Sequence, residues 1–320
     1  MENTPSQPVK YTETPVTPVQ YKPTPMHPAL QFLVFIGIFI GVLFVGNLIG
    51  AGIIIGMYGM KTLTAIGTIN TTTPHFVTAL WIIQLTGTTL PILIAPLIFS
   101  LAVVRNVREY IRPGFNFPWT LMLLVFVIMF ASSPLIEFLS NLNQKMVLPH
   151  FLQWMRDSED SAQKLTAAML QMDNIWQLLF NVIFIGLATA IVEEFMFRGV
   201  MQTVFEKWTK NTHVAIWITA ILFSAFHMEF FGFLPRMMLG VLFGYFVAWS
   251  GSIWTSVWAH FINNGTAVVV TYLYQQKVSK ISPDDDHVFN NAAYIISLIF
   301  VLFLFWVYHY IATHKKPAVA

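Results

Sequence analysis

Hydrophobic residues run in long, closely spaced blocks along most of the chain, with short polar turns between them. A helix that crosses a bilayer needs about 20 mostly apolar residues. The pattern therefore predicts an all-α, polytopic membrane protein with about eight transmembrane helices. The fifth and sixth blocks are short, which predicts tilted or incomplete crossings. The predicted spans are residues 30–57, 76–103, 118–139, 175–204, 214–228, 234–249, 253–274 and 293–311.

The first residues differ from everything after them. Prolines alternate with Thr and Gln across residues 1–28, which predicts a disordered, polyproline-like tail. This segment lacks the basic start and apolar run of a cleavable signal peptide. We therefore divide the chain into a Pro/Thr-rich disordered tail, residues 1–28, and a transmembrane helical domain, residues 29–320. Within that domain, residues 152–172 show the helical spacing of an amphipathic surface helix.

Composition narrows the classes of function. Hydrophobic residues make up 56% of the 320 residues and charged residues only 10%, against about 25% in a typical globular domain. This balance excludes an ordinary soluble enzyme and a disordered chain. A net charge of +2 with no basic stripe argues against nucleic acid as a partner, and membrane lipid is the expected surrounding. The chain has no Cys, which excludes thiolate catalysis and thiolate metal sites.

Lys and Arg near the span ends indicate orientation, because cytoplasmic loops carry an excess of both. If the spans alternate, one side holds Lys10, Lys22, Arg105, Arg108, Arg112, Lys207, Lys210, Lys315 and Lys316. The other side holds Lys61, Lys145, Arg156, Lys164, Arg236, Lys277 and Lys280, mostly in longer loops that count for less. We therefore expect an integral protein of the plasma (inner) membrane, with both termini cytoplasmic.

Charge inside a predicted span is the sharpest chemical signal, because an ionisable residue at the bilayer centre is costly unless it has a partner. Glu193 and Glu194 lie deep in the fourth span. Glu194 and Arg198 are four residues apart, so they share a helix face and are predicted to form an ion pair. Glu193 points elsewhere and has no partner in its own helix. Two adjacent carboxylates resist simultaneous ionisation, which suits Glu193 to the role of a general base.

Polar residues in two later spans fall at a similar depth. Glu193 and His227 lie at equal distances along the chain from Lys210, in the turn between spans four and five. A helical hairpin therefore brings them to one height. His260 lies roughly 13 Å into the membrane from the same side, and Asn264 shares its face. The spacing predicts that these side chains meet in a site that opens on the cytoplasmic side.

These residues resemble the motifs of the CAAX protease and bacteriocin-processing enzyme family, whose eukaryotic branch includes the Ras-converting CAAX endopeptidase. The resemblance covers roughly residues 175–274, which we take as the catalytic core. Three motifs carry it, in this order on successive spans: Glu193-Glu194-x-x-x-Arg198, Phe223-x-x-x-His227 and His260-x-x-x-Asn264.

The resemblance implies an intramembrane endopeptidase that is glutamate-dependent and uses no metal or other cofactor. Carried over onto this sequence, Glu193 and His227 would activate a water, and His260 and Asn264 would stabilise the oxyanion. The Glu194–Arg198 pair would support the site structurally. The implied substrates are membrane-associated, lipidated or peptide substrates, and the sequence itself indicates none of them by name.

Other interpretations stay open. Glu193, His227 and His260 together form a known type of zinc ligand set, so a zinc-dependent protease is the alternative mechanism. Intramembrane Glu and His also serve proton relays, which would make the chain a proton-coupled transporter, although no inverted repeat is visible. A non-catalytic membrane scaffold or regulator would keep the same polar residues for helix packing.

Overall fold

The computed structural model describes residues 26–147, 149–282, 285 and 287–314. Every regular element in these ranges is a helix, which confirms the all-α prediction. Almost the whole predicted tail lies outside the described residues. So do Lys10, Lys22, Lys315 and Lys316, on which part of the orientation argument rests.

Twelve α-helical segments, some containing π-helical turns, follow one another along the described ranges. They are α1 (Pro28–Tyr58), α2 (Met60–Gly67), α3 (Phe76–Val103), α4 (Val107–Ile111), α5 (Thr120–Ala131), α6 (Ser133–Gln144), α7 (Gln153–Met169), α8 (Ile175–Thr209), α9 (Thr212–Phe226), α10 (Phe233–Ser250), α11 (Ile253–Gln275) and α12 (Asn291–Thr313).

Capping side chains set the starts of the helices that build the core segment. Asn174 accepts backbone N–H bonds at the start of α8, and Asn211 and Ser252 do the same for α9 and α11. Such side chains satisfy N–H groups that have no partner within the helix. Gly251 ends α10 with φ +71°, a conformation that glycine adopts without a Cβ clash. Short turns therefore make α8, α9, α10 and α11 pack in succession.

Within the described residues, five helices are long and apolar enough to cross a membrane, namely α1, α3, α8, α10 and α12. A sixth span results if α5 and α6, bent by 43° at the break between them, count as one. The prediction of about eight is therefore too high by this criterion. Two predicted spans fall short: α9 has only 15 residues, and α11 has 23 but carries many polar side chains. With its apolar outer faces, the chain is an integral membrane protein.

Two apolar cores lie on either side of the central helices. The first joins α1, α3, α8 and α9 around Phe35, Phe99 and Phe197. The second joins α5, α10, α11 and α12 around Phe246 and Tyr308. Helices α8, α9, α10 and α11 contact one another at the seam between these cores, and the polar residues singled out from the sequence lie there.

The two ends of the bundle are distinct. At one end, called here the 206–211 end, Arg112, which directly follows α4, pairs with Glu206 of α8 at 2.5 Å, and Glu109 pairs with Lys207 at 2.7 Å. The opposite end, the 228–232 end, holds the turn between α9 and α10. The predicted amphipathic helix is present as α7, and it lies at this second end.

Candidate active site

Helix α8 carries the two intramembrane acids between two π-helical turns, Val182–Ala188 and Phe195–Met201. Such turns occur mainly as local bulges in α-helices, frequently at functional sites. Glu194 Oε1 lies 2.7 Å from Arg198 Nη1, and both side chains are fully buried. The ion pair expected from the spacing is therefore present, although a π turn begins directly after Glu194.

Glu194 also receives partners from α11. Its Oε1 lies 2.9 Å from His260 Nδ1, and the hydroxyl of Ser256 donates to Oε2. Arg198 in turn donates from Nη2 to the Gly240 carbonyl of α10 at 3.2 Å. Three helices thus meet at the buried Glu194–Arg198 pair. Because it accepts from a guanidinium, an imidazole and a hydroxyl, Glu194 is held as a carboxylate acceptor.

Glu193 differs from Glu194 in having a buried oxygen without a hydrogen-bond partner in the described structure, its Oε2. This atom lies 3.8 Å from Nε2 of His260 and 3.9 Å from Nε2 of His227. These separations are too long for direct hydrogen bonds. They are the kind of gap that one bridging water spans.

The hydrogen bonds of the two histidines fix which nitrogen carries a proton. His227 Nδ1 lies 2.9 Å from the Phe223 carbonyl, one turn earlier in α9. A carbonyl only accepts, so Nδ1 donates, and the neutral ring has its acceptor nitrogen, Nε2, towards Glu193. His260 Nδ1 likewise faces an acceptor, Glu194, and turns its own Nε2 towards Glu193.

Asn264 lies one turn after His260 on α11, as the spacing predicts. Its Oδ1 accepts from Asn263 Nδ2 at 3.1 Å, and its Nδ2 lies 3.5 Å from the Ile185 carbonyl. The second contact is at the long limit for a hydrogen bond. The amide of Asn264 therefore lines the site and has a donor group that is only loosely engaged.

All of the predicted site residues except the Glu194–Arg198 pair line one cavity of about 300 Å³, and that pair lies buried behind it. The cavity lining is Ile136, Thr189, Glu193, Phe223, His227, Gly232, Pro235, Arg236, Leu239, Phe243, His260, Asn263 and Asn264.

The mouth of this cavity lies at the 228–232 end, where Gly232, Pro235 and Arg236 line it. The side chain of His227 is 26% exposed there, against 5% for His260 deeper inside. The prediction of an opening on the side of the 206–211 turn is wrong. It placed the site by counting residues from the 206–211 turn, whereas α9 ends at Phe226, directly before His227, so the cavity residues lie close to the opposite end.

Residues that the sequence did not single out hold this mouth in place. Asn143 of α6 donates to the Phe230 carbonyl at 2.8 Å and accepts from the Leu234 N–H at 2.6 Å. Glu159 of α7 accepts from the Phe231 N–H at 3.0 Å, and burial raises the pKa of Glu159 above its usual range. The turn between α9 and α10 is thus fastened from two sides.

Glu229 pairs with Arg236 at the mouth. Arg236 could have been singled out from the sequence, because it is a lone charged residue near the start of an otherwise apolar helix. Ser256 could also have been found, since it lies four residues before His260 and shares its face.

The alternative zinc set consists of Glu193, His227 and His260. Tetrahedral ligands with bond lengths of 2.0–2.1 Å lie about 3.3 Å apart, and the separations of 3.8 and 3.9 Å from Glu193 Oε2 exceed this. Within the described residues, no group of three or more His, Asp or Glu is arranged to hold a metal ion.

A comparison with known protein families finds a match over the same helices. Residues 175–266, which run from α8 into α11 and contain all three motifs, match the model of the family described as "Type II CAAX prenyl endopeptidase Rce1-like". These residues are called here the Rce1-like segment, because they are similar to that family. The resemblance noted in the motifs is confirmed, and the matched range lies within the roughly 175–274 that the motifs cover.

A curated relative, the uncharacterized protein YpbD of Bacillus subtilis (strain 168), is 30% identical over 86 residues. This region is 26% of the present chain and 41% of YpbD, so the chain covers about two fifths of the length of YpbD. No solved structure matches the chain. Residues 175–266 are the part of the molecule that matches a described family.

Proposed function

We propose that the protein is an intramembrane endopeptidase that hydrolyses peptide bonds with a water activated by Glu193 and His227. The observation that carries this proposal is the geometry at Glu193 Oε2, a buried acceptor 3.8 and 3.9 Å from two imidazole nitrogens. The Rce1-like segment supports the same activity at the level of the family.

A water between these groups would have both of its hydrogens directed. Glu193 Oε2 accepts one, and the unprotonated Nε2 of His227 accepts the other, since Nδ1 of that ring donates to Phe223. The lone pairs of the water oxygen then point into the cavity. In the first step the water oxygen forms a bond to the peptide carbonyl carbon, its proton passes to Glu193, and the carbonyl oxygen becomes the oxyanion.

His260 and Asn264 are proposed as the donors to that oxyanion. Glu193, Glu194 and Arg198 together carry one net negative charge when all three are ionised. In this role His260 carries a proton on each ring nitrogen, and its positive charge offsets that net charge. Its Nδ1–H then bonds Glu194, and its Nε2–H is available to the oxyanion. Ser256 and Arg198 act as positioning residues, because they hold Glu194 in place.

The second step completes the balance of atoms. The proton on Glu193 passes to the leaving amide nitrogen, the carbon–nitrogen bond breaks, and the oxyanion collapses to a carboxylic acid. Negative charge moves from Glu193 to the oxyanion and back, so the net charge of the cluster and the bound substrate together stays constant. A preorganised site of this kind needs little reorganisation at the moment of reaction.

Membrane-associated, lipidated or peptide substrates are the proposed class, and lipid is the surrounding solvent. The test uses purified protein in detergent with two probes. One is a farnesylated peptide ending in a CAAX sequence, chosen because of the family description; the other is a pool of fluorogenic hexapeptides with random apolar residues. Peptide cleavage supports a protease. Ion-dependent uptake into vesicles without cleavage would support a transporter, and neither activity would support a scaffold.

Asn264→Ala tests the oxyanion donor and the zinc alternative together. Loss of one such donor typically lowers the rate by about 10²–10³, so we expect kcat to fall far more than KM changes. The measurement is steady-state kinetics, with metal content and chelator sensitivity of the wild-type protein alongside. Stoichiometric zinc and chelator-sensitive activity, with little effect of Asn264→Ala, would overturn the proposed mechanism and leave a protease.

The proposed location is the plasma membrane, with both termini cytoplasmic. Since α1 starts and α12 ends at the 206–211 end, the mouth of the cavity would then face the outside. The absence of Cys makes single substitutions informative. Lys277 follows the end of α11 on the side of the mouth, and Lys210 lies in the turn at the 206–211 end. We therefore expect Lys277→Cys, but not Lys210→Cys, to react with a membrane-impermeant maleimide on intact cells. The reverse labelling would place the mouth, and the substrates, on the cytoplasmic side.

A further inference from the structure

Arg236 is a charged residue of the cavity that the proposed reaction does not use. It lies in the first turn of α10 and lines the same cavity as Glu193 and His227. Its Nη2 is bonded to Glu229. Its Nη1 is buried and has no hydrogen-bond partner in the described structure. Native proteins rarely leave a buried donor unpaired without a functional or structural reason.

The turn between α9 and α10 determines where this guanidinium lies. The guanidinium lies over Gly232, where a Cβ would come within 3.1 Å of Nη2 and 3.3 Å of Nη1 of Arg236. The turn itself is fastened by Asn143 and Glu159. Because Gly232 has no side chain and the turn is held, the guanidinium is preorganised at the mouth.

The two polar atoms of this cavity that are buried without a partner are complementary. Glu193 Oε2 is an acceptor at the site of the proposed reaction, and Arg236 Nη1 is a donor nearer the mouth. Pro235, Leu239 and Phe243 form apolar walls around them. A charge-assisted bond is roughly twice as strong as a neutral one, and apolar walls increase the difference, so the guanidinium favours a carboxylate over an amide carbonyl.

We propose that Arg236 is a specificity-determining residue whose free amino group binds a carboxylate of the peptide substrate, an inference that rests on the proposed function. Nη2 of Arg236 stays bonded to Glu229, and Nη1 donates to the substrate carboxylate. The carboxylate is either the C-terminus of the peptide or an acidic side chain close to the cleaved bond. Arg236 thereby positions the peptide relative to Glu193.

The test uses the hexapeptide pool in three forms: with a free C-terminal carboxylate, with a C-terminal amide, and with a C-terminal amide and Glu next to the terminus. We expect wild-type protein to prefer at least one acidic form. Arg236→Gln should remove that preference, lowering kcat/KM for the acidic form about 10- to 100-fold while the neutral amide form changes little. The form that is preferred identifies the source of the carboxylate.

Matched variants separate specificity from folding. Arg236→Gln/Glu229→Gln avoids leaving Glu229 without its partner, and it should behave as Arg236→Gln. Gly232→Ala keeps Arg236 but displaces its guanidinium, and it should weaken the same preference. Lys164→Gln, which removes a positive charge from the exposed face of α7, should leave the preference unchanged.

Binding of the same three forms to Glu193→Gln protein separates the proposed carboxylate site at Arg236 from the proposed peptidase activity. Arg236-dependent binding of an acidic form without cleavage by the wild type would retain the carboxylate site and overturn the protease. Equal cleavage of acidic and amide forms would retain the protease and overturn the role of Arg236. An absence of acid preference in both binding and cleavage would likewise overturn it.

Discussion

Glu193→Gln is expected to lower kcat by about 10²–10⁴-fold, the contribution of a positioned general base. The amide of Gln has nearly the same shape as the carboxylate but does not accept the proton of the water. Oε2 of Glu193 makes no hydrogen bond in the described structure, so the substitution breaks no contact at that atom. We therefore expect KM and the thermal transition to stay close to those of the wild type.

Asp157→Asn is the matched control, because it makes the same chemical change on the exposed face of α7. It should retain wild-type kcat. The measurement is steady-state cleavage of the peptide probe by both purified variants, with thermal transitions followed by tryptophan fluorescence. Activity of Glu193→Gln within a few-fold of the wild type would refute its assignment as the base.

Arg198→Ala is expected to have the largest effect on stability, lowering the free energy of unfolding by about 3–5 kcal/mol, as when one partner of a buried ion pair is removed. Arg198 is fully buried, with its guanidinium carbon 4.2 Å from the ring centroid of Phe223 and 5.2 Å from that of Phe243. The substitution thus leaves the Glu194 carboxylate undercompensated and removes packing between the two apolar cores.

Rescue identifies the cause of this loss. Arg198→Ala/Glu194→Gln should recover part of the stability, because it removes the undercompensated charge. Activity should stay low, since Glu194 also orients His260. Arg108→Ala, at an exposed site outside the cavity, is the control and should leave the thermal transition unchanged. A stable Arg198→Ala variant, or no rescue by the second substitution, would show that the pair contributes little.

Local geometry made part of this site predictable from the sequence. The Glu194–Arg198 pair follows from the four-residue spacing within one helix, which holds wherever the helix packs. The approach of His227 and His260 to Glu193 follows from short turns, because consecutive helices joined by them lie side by side. The resemblance then gave these residues roles that spacing alone does not give.

Other features depend on how separate helices pack, which spacing along one helix does not determine. The bond from His260 to Glu194 requires a particular rotation of α11 against α8. The direction of the mouth depends on which ends of α9 and α10 lie beside the polar residues, and counting residues from one turn does not determine this. Asn143 and Glu159 reach the turn from distant parts of the chain, so no local motif indicates them.

Hydrolysis in water enriched in ¹⁸O, by chelator-treated wild-type protein and by Glu193→Gln, tests the central claim most directly. Mass spectrometry of the peptide products reports both the cleaved bond and the origin of the new oxygen. The account predicts one ¹⁸O in the newly formed carboxyl group, undiminished activity after chelation, and almost no product from Glu193→Gln. Undiminished cleavage by Glu193→Gln, or wild-type activity that disappears on chelation and returns with zinc, would contradict it.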